Sequence, residues 1–290
     1  MSDRKPIIEI IGLTYQYADT ERPALKDINL VIYEGEYVAL LGLNGAGKTT
    51  LELSLNGVVP NMIMGEMEGT VKIDGMDTDI YPTRELAKVI GMVFDNPEFQ
   101  MSQMHVSEEI AMGLENLGVP TEEMHRIIPE VLQTVGLSGL EERSPFALSG
   151  GQMQRLAIAS ALAMQPRILV MDEPTSNVDP IGKEEIFAVA AKLNKERNMT
   201  VIMAEHEVEV MAAYADRIIV LDKGSIILNG SPHEVFGQVE ILEKIGLRVP
   251  QVTDLAYKLK SQKILDWPLP LPVTIEEAED FLSKKLPTKG

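Results

Sequence analysis

A chain of 290 residues, 45% hydrophobic and 24% charged, has the composition of a soluble globular protein with room for one large α/β domain plus an appendage. A formal net charge of −18 argues against a nucleic-acid partner, and the absence of cysteine excludes disulfides, thiol nucleophiles and Cys-ligated metals. No stretch approaches about 18 consecutive apolar residues, and Met1 to Pro6 lacks a signal-peptide apolar region, so the expected compartment is the cytoplasm.

The first 41 residues read as β structure. Ile7 to Ile11 and Ile28 to Ile32 are strand-like, Glu34-Gly35 is a turn, and Tyr37-Val38-Ala39-Leu40-Leu41 is an apolar run. Next comes Gly42-Leu43-Asn44-Gly45-Ala46-Gly47-Lys48-Thr49-Thr50, followed by a helix-compatible segment from Thr49 to Asn56. Strand, glycine-rich turn and helix in this order, with G-x-x-x-x-G-K-[ST] spacing, make a phosphate-binding loop. Glycines let successive N–H groups turn inward, and the helix N-terminus adds a partial positive charge beneath the phosphates. Lys48 is expected to reach the β- and γ-phosphates, and the Thr49 hydroxyl to ligand Mg²⁺. The chain is therefore read as a nucleotide-binding protein.

Gly69 to Gly75 is a further short strand, and Ile90 to Phe94 is a buried-strand candidate ending at the turn signal Asp95-Asn96-Pro97. Between residues 105 and 165 the period becomes helical, which predicts a helical insertion within the α/β domain. The α/β pattern resumes with Ile168 to Asp172, a helix from Pro180 to Arg197, a strand from Thr200 to Ala204, and a hairpin turning at Asp222-Lys223-Gly224. From Val239 to Leu259 the pattern is helical, broken near Gly246 and Pro250. Trp267 to Pro272 is expected to be an extended linker, because three alternating prolines forbid a helix. Thr274-Ile275-Glu276-Glu277 then fits a capping box opening an amphipathic helix with Ile275, Ala278 and Leu282 on one side.

Two carboxylates close the chemical pattern. Asp172 ends a buried strand, where it suits Mg²⁺ opposite Thr49; the adjacent Glu173 suits the polarisation of an attacking water. Leu148-Ser149-Gly150-Gly151-Gln152 precedes a helix from about Met153 to Met164 and offers a hydroxyl and free N–H groups as a second anion site.

Together these stretches resemble the ATP-binding-cassette (ABC) ATPases. The resemblance implies a P-loop fold with a RecA-like core, an antiparallel β subdomain and a helical signature subdomain at about 97–165. It also implies ATP hydrolysis with ATP and Mg²⁺. Residues 1–236 form the nucleotide-binding domain, and 237–290 a C-terminal helical extension expected to dimerise. Ser149 to Gln152 resemble the signature sequence, Ser176 to Asp179 the D-loop with Asp179 at the nucleotide, and His206 the switch histidine at the γ-phosphate. Tyr17 matches the aromatic that stacks on adenine, with Tyr15, two residues away, expected on the opposite side of the strand. Where the family carries Gln after the strand at 90–94, this chain has Asp95, which is expected to accept Mg²⁺ or to orient water; Gln100 and Gln103 lie further on.

Phe94 to Gln100, Gly113 to Gly118 and Gly246 to Pro250 further resemble the ATPase subunits of energy-coupling-factor (ECF) transporters. That implies a peripheral subunit at the cytoplasmic face of the membrane. It works as a homo- or heterodimer, with a transmembrane coupling protein and a substrate-binding membrane subunit, in uptake of a vitamin or transition metal ion. Phe94, Phe99, Met101 and Met104 are the candidate groove for the coupling protein. Alternatives are an ordinary ABC importer ATPase, a soluble ABC ATPase acting on DNA or ribosomes, and a regulatory module without turnover.

Overall fold

The computed structural model describes residues 4–285. In chain order, β1 (Pro6–Tyr17) and β2 (Leu25–Tyr33) form an antiparallel pair, and β3 (Tyr37–Leu41) runs into the phosphate loop and α1 (Lys48–Leu55). After α2 (Val58–Asn61), strands β4 (Gly65–Ile73) and β5 (Met76–Asp77) return to the first sheet, whose order is β2-β1-β4-β5. Next come α3 (Thr83–Leu86) and β6 (Ile90–Val93), then the helical segment α4 (Val106–Asn116), α5 (Thr121–Thr134) and α6 (Gly150–Ala163). The chain re-enters the core through β7 (Ile168–Asp172), α7 (Pro180–Arg197), β8 (Thr200–Ala204), α8 (Val208–Tyr214) and the hairpin β9 (Arg217–Asp222), β10 (Ser225–Gly230). Four helices close it: α9 (Pro232–Phe236), α10 (Val239–Lys244), α11 (Gln251–Ser261) and α12 (Ile275–Lys285).

The second sheet, ordered β10-β9-β3-β8-β7-β6, is parallel except for β10. Its central strands are covered on both faces, which explains why β3, β7 and β8 read as unbroken apolar runs. Alternate residues divide between two cores. Ala39, Leu41, Leu169, Met171, Val201 and Met203 face the side packed by α6, α7 and the C-terminal helices. Val38, Leu40, Val170 and Ile202 face α1 and the antiparallel sheet. Leu51 and Leu55 seat α1 in that second core, so the phosphate loop is anchored at both ends.

Several expectations need correction. Tyr15 and Tyr17 lie on the same side of β1, not opposite sides, because residues two apart in a strand share a face. Their rings meet edge to face with centroids 5.0 Å apart, Tyr15 fully buried and donating to the Ile63 carbonyl at 3.0 Å. The signature helix starts at Gly150 rather than near Met153, since Ser149 caps it directly. The stretch Trp267 to Pro272 is non-helical as expected, yet it is no solvated linker. Trp267 and Leu271 are buried in the core, and Trp267 packs on Phe281 of α12 at 4.4 Å. On α12, Ala278 and Leu282 pack inward while Ile275 is exposed, because the first turn overhangs the core. Thr274 Oγ1 does accept from the Glu277 N–H at 3.4 Å as the capping box requires, but the Glu277 carboxylate accepts in return from the Val273 N–H at 2.8 Å, one residue before the expected cap.

Candidate active site

The phosphate loop takes its shape from backbone conformations that side chains resist. Gly45 and Gly47 have φ of 78° and 109°, and a Cβ on Gly47 would sit 2.8 Å from the Ala24 carbonyl oxygen. Only glycine lets the loop curl this close to the turn before β2. The loop bounds a cleft of about 530 Å³ lined by Tyr17, residues 43–50, Phe94, Asp95, Asp172 and Glu173. Leu43, Asn44, Gly45, Ala46, Gly47, Lys48, Thr49 and Thr50 are thus brought together as the sequence predicts. Gly42 lies beneath, its carbonyl accepting from Lys48 Nζ at 2.9 Å.

Five charged or polar groups converge at the head of α1. Lys48, only 5% exposed, also lies 3.2 Å from Glu173 Oε1. Thr49 Oγ1 donates to Asp172 Oδ2 at 2.6 Å. His206 Nε2 is 3.0 Å from the same Glu173 oxygen that faces Lys48. The Glu173 backbone is held at φ 46°, a left-handed conformation costing a non-glycine residue about 1–3 kcal/mol, and its N–H donates to the Ala204 carbonyl. Strain at this residue aims its carboxylate between Lys48 and His206. Tyr17 reaches the site from β1, its hydroxyl 2.9 Å from Thr50 Oγ1.

Burial raises the proton affinity of Asp172, opposed chiefly by the hydrogen bond from Thr49. Beneath it lies a group the sequence reading missed. Glu52 is fully buried and neither carboxylate oxygen has a donor among the described residues. Burial pushes its carboxyl well above the usual range, and the neighbouring Asp172 adds to the shift. Its spacing of four from Lys48 places it on the same face of α1. A Glu at that position inside an otherwise buried helix was the available signal.

The remaining predicted residues are elsewhere. Ser149 caps α6: its Oγ accepts from the Gln152 N–H at 3.3 Å, and Gln152 Oε1 accepts from the Ser149 N–H at 3.1 Å. Ser149 and Gly150 are exposed, Gly151 is buried, and none of the four lines the phosphate cleft. Asp179 is not at the cleft either; its Oδ1 accepts from the Ile181 and Gly182 N–H groups at 3.0 Å as the cap of α7. Asp95 does line the cleft, and its carbonyl accepts from Ser176 Oγ at 3.3 Å. Gln100 turns away to accept from the Phe94 N–H at 3.0 Å, and Gln103 bonds Ser102 and Met112, so neither replaces the missing glutamine.

Residues 25–176 match the ABC transporter family. The chain belongs to that family of ATPases. A putative ABC transporter ATP-binding protein of Pyrococcus abyssi is 45% identical over 89% of this chain and 92% of its own length. The energy-coupling factor transporter ATP-binding protein EcfA1 of Caldanaerobacter subterraneus subsp. tengcongensis is 41% identical over 96% of this chain and 99% of its own. Among solved structures, cbiO1 from Clostridium perfringens, part of the ABC transporter complex cbiONQ, superposes with a TM-score of 0.73. It is 34% identical and covers 87% of this chain and 99% of its own. The ATP-binding cassette MJ0796, a dimer bound to ADP and Pi after hydrolysis, matches with TM-score 0.68 and 31% identity over 77% of this chain and 98% of its own. This ABC ATPase therefore binds and hydrolyses ATP.

Proposed function

We propose that this ABC ATPase is the ATP-hydrolysing subunit of an ECF-type transporter that takes up a vitamin or a transition metal ion. The near end-to-end similarity to EcfA1, over 96% of this chain and 99% of that one, carries the reading. No described helix is long and apolar enough to cross a membrane, so such a subunit would lie peripherally at the cytoplasmic face.

Two such subunits, identical or related, close head to tail over two ATP molecules. Each nucleotide is gripped by Lys48, Thr49 and His206 of one subunit and by Ser149, Gly150, Gly151 and Gln152 of the other. Separation of the signature residues from the phosphate cleft within one chain supports this division. Glu173 takes the proton of the attacking water, oriented by Lys48 and His206 on its Oε1. The hard oxygen donors of Thr49 and Asp172, 2.6 Å apart, fit Mg²⁺, which would neutralise charge on the β- and γ-phosphates. Asp95 sits at the cleft where the family glutamine is expected and is the third candidate oxygen donor, or an orienter of water.

Residues 237–290 add a second dimer contact; Ile241, Leu255 and Ile264 are exposed there. The coupling protein docks beside β6, where Phe99 is 88% and Met104 73% exposed. Phe94 and Met101 lie further in, so they support this surface rather than form it. The test is to isolate the tagged full chain with its membrane complex and identify every component by mass. The expected set is a second ATPase chain, a transmembrane coupling protein and a small substrate-binding membrane protein. Finding instead a paired permease with a soluble solute-binding protein would replace this reading by an ordinary importer.

A further inference from the structure

Immediately before the switch histidine stands Glu205, at the end of β8, with only 4% of its surface exposed. Burying a carboxylate is costly unless its lone pairs are met by donors. Here they are met by two different loops. Oε1 accepts from the Thr175 N–H at 3.0 Å and from Thr175 Oγ1 at 2.7 Å. Oε2 accepts from the His206 N–H at 3.1 Å. Lys183, the lysine that faces this region from α7, is instead paired with Glu207 at 2.5 Å. Glu205 is therefore held by directed hydrogen bonds and not by an ion pair.

The topology gives this bridge a direction. Strands β7 and β8 are parallel neighbours with Asp172 opposite Ala204, so the loops after them leave the sheet side by side. One carries Glu173, Thr175 and then Ser176, which itself reaches the Asp95 carbonyl. The other carries His206, whose ring meets Glu173. An acceptor with two oxygens and no proton to donate is the simplest group that ties a threonine of one loop to the backbone of the other. A hydroxyl or amide would satisfy one side only.

We propose that Glu205 is a positioning residue that locks the segment after Asp172 to the switch histidine, so that displacement of either loop at the terminal phosphate is passed to the other. It acts through the His206 backbone and Thr175. The proposal rests on the reading of His206 as the switch residue, and the experiment separates the two.

In the full chain, Glu205→Gln keeps an oxygen for Thr175 but presents an NH₂ to the His206 N–H. Thr175→Val removes only the hydroxyl donor. Single-turnover hydrolysis and ATP affinity are measured for each variant, alone and in a His206→Ala background. The expected result is a fall in the hydrolysis rate of about 10- to 100-fold for Glu205→Gln, a smaller fall for Thr175→Val, and ATP affinity within about twofold of the parent. Neither change should lower the rate further once His206 is Ala. Full activity in Glu205→Gln would overturn the proposal, as would losses that multiply with His206→Ala. Parallel loss of ATP affinity and thermal stability would mark a merely structural role and also overturn it. Near-normal turnover in His206→Ala alone would instead remove the reading of His206 and the proposal with it.

Discussion

The phosphate cleft and the signature end of α6 use the same physics and reach different states of completion. Both place glycines and a hydroxyl at a helix N-terminus, where free N–H groups favour an anion. In the cleft the chain supplies everything around that terminus: a buried lysine, a strand-end carboxylate bonded to Thr49, and a second carboxylate held by Lys48 and His206. At the signature end, Ser149 and Gly150 stand exposed, with only Gln152 folded back to close the cap. Within one chain the cleft is furnished by its own fold, whereas the signature end is left open. On the function proposed above, the two complete each other across a pair of such chains.

Changes to the cleft should give the largest effects. Glu173→Gln should slow ATP hydrolysis by about 10²–10⁴-fold while leaving ATP bound, and ATP should then hold the dimer closed long enough to resolve by size exclusion. Turnover near the parent rate would place the base elsewhere. At the signature end, Ser149→Phe should lower hydrolysis by about 10²-fold with ATP affinity of the separate subunit preserved. Mixing Ser149→Phe with Glu173→Gln subunits tests the division further: in a mixed dimer one composite site carries both defects and the other neither, so each mixed dimer should regain about half the parental activity. No recovery would contradict the shared site.

Away from both sites, Phe99→Glu or Met104→Glu should weaken docking of the membrane partner by about tenfold or more, with the isolated ATPase rate unchanged. Uptake at the parental level would remove that surface from the proposal. The smallest effect concerns stability. Burial raises the Glu52 proton affinity in the folded chain, so the folded state binds more protons than the unfolded one. Its contribution is fully present below about pH 4.3, the ordinary glutamate value, and is lost as pH rises toward the raised folded value. Glu52→Gln should therefore flatten the decline in melting temperature as pH rises above the ordinary glutamate range, and raise the melting temperature on the alkaline side by a few degrees, about 1 kcal/mol. An unchanged slope would mean that Glu52 is not the group responsible.

What could be read without the fold was whatever is encoded in neighbouring residues. The strand, turn and helix around Lys48 are contiguous, as are the apolar run ending in Asp172-Glu173 and the Ser149 cap, so local spacing and backbone chemistry sufficed to read a phosphate-binding loop and most of its cleft, while ATP and the fold class followed from the family resemblance these motifs carry. The core strands also announced themselves as apolar runs and the helical segment through its period. Tertiary structure alone decided the rest. Asp179 is spent on capping α7, Trp267 leaves its proline run for the core, and Ile275 hangs free of it. Glu52 and Glu205 acquire their roles only because β7, β8 and α1 converge, bringing Asp172, Thr175 and His206 against them. A buried carboxylate is defined by what surrounds it: for Glu205 the Thr175 donors lie thirty positions away, and for Glu52 the neighbouring carboxylate of Asp172 lies more than a hundred away. Sequence spacing carries no record of such meetings.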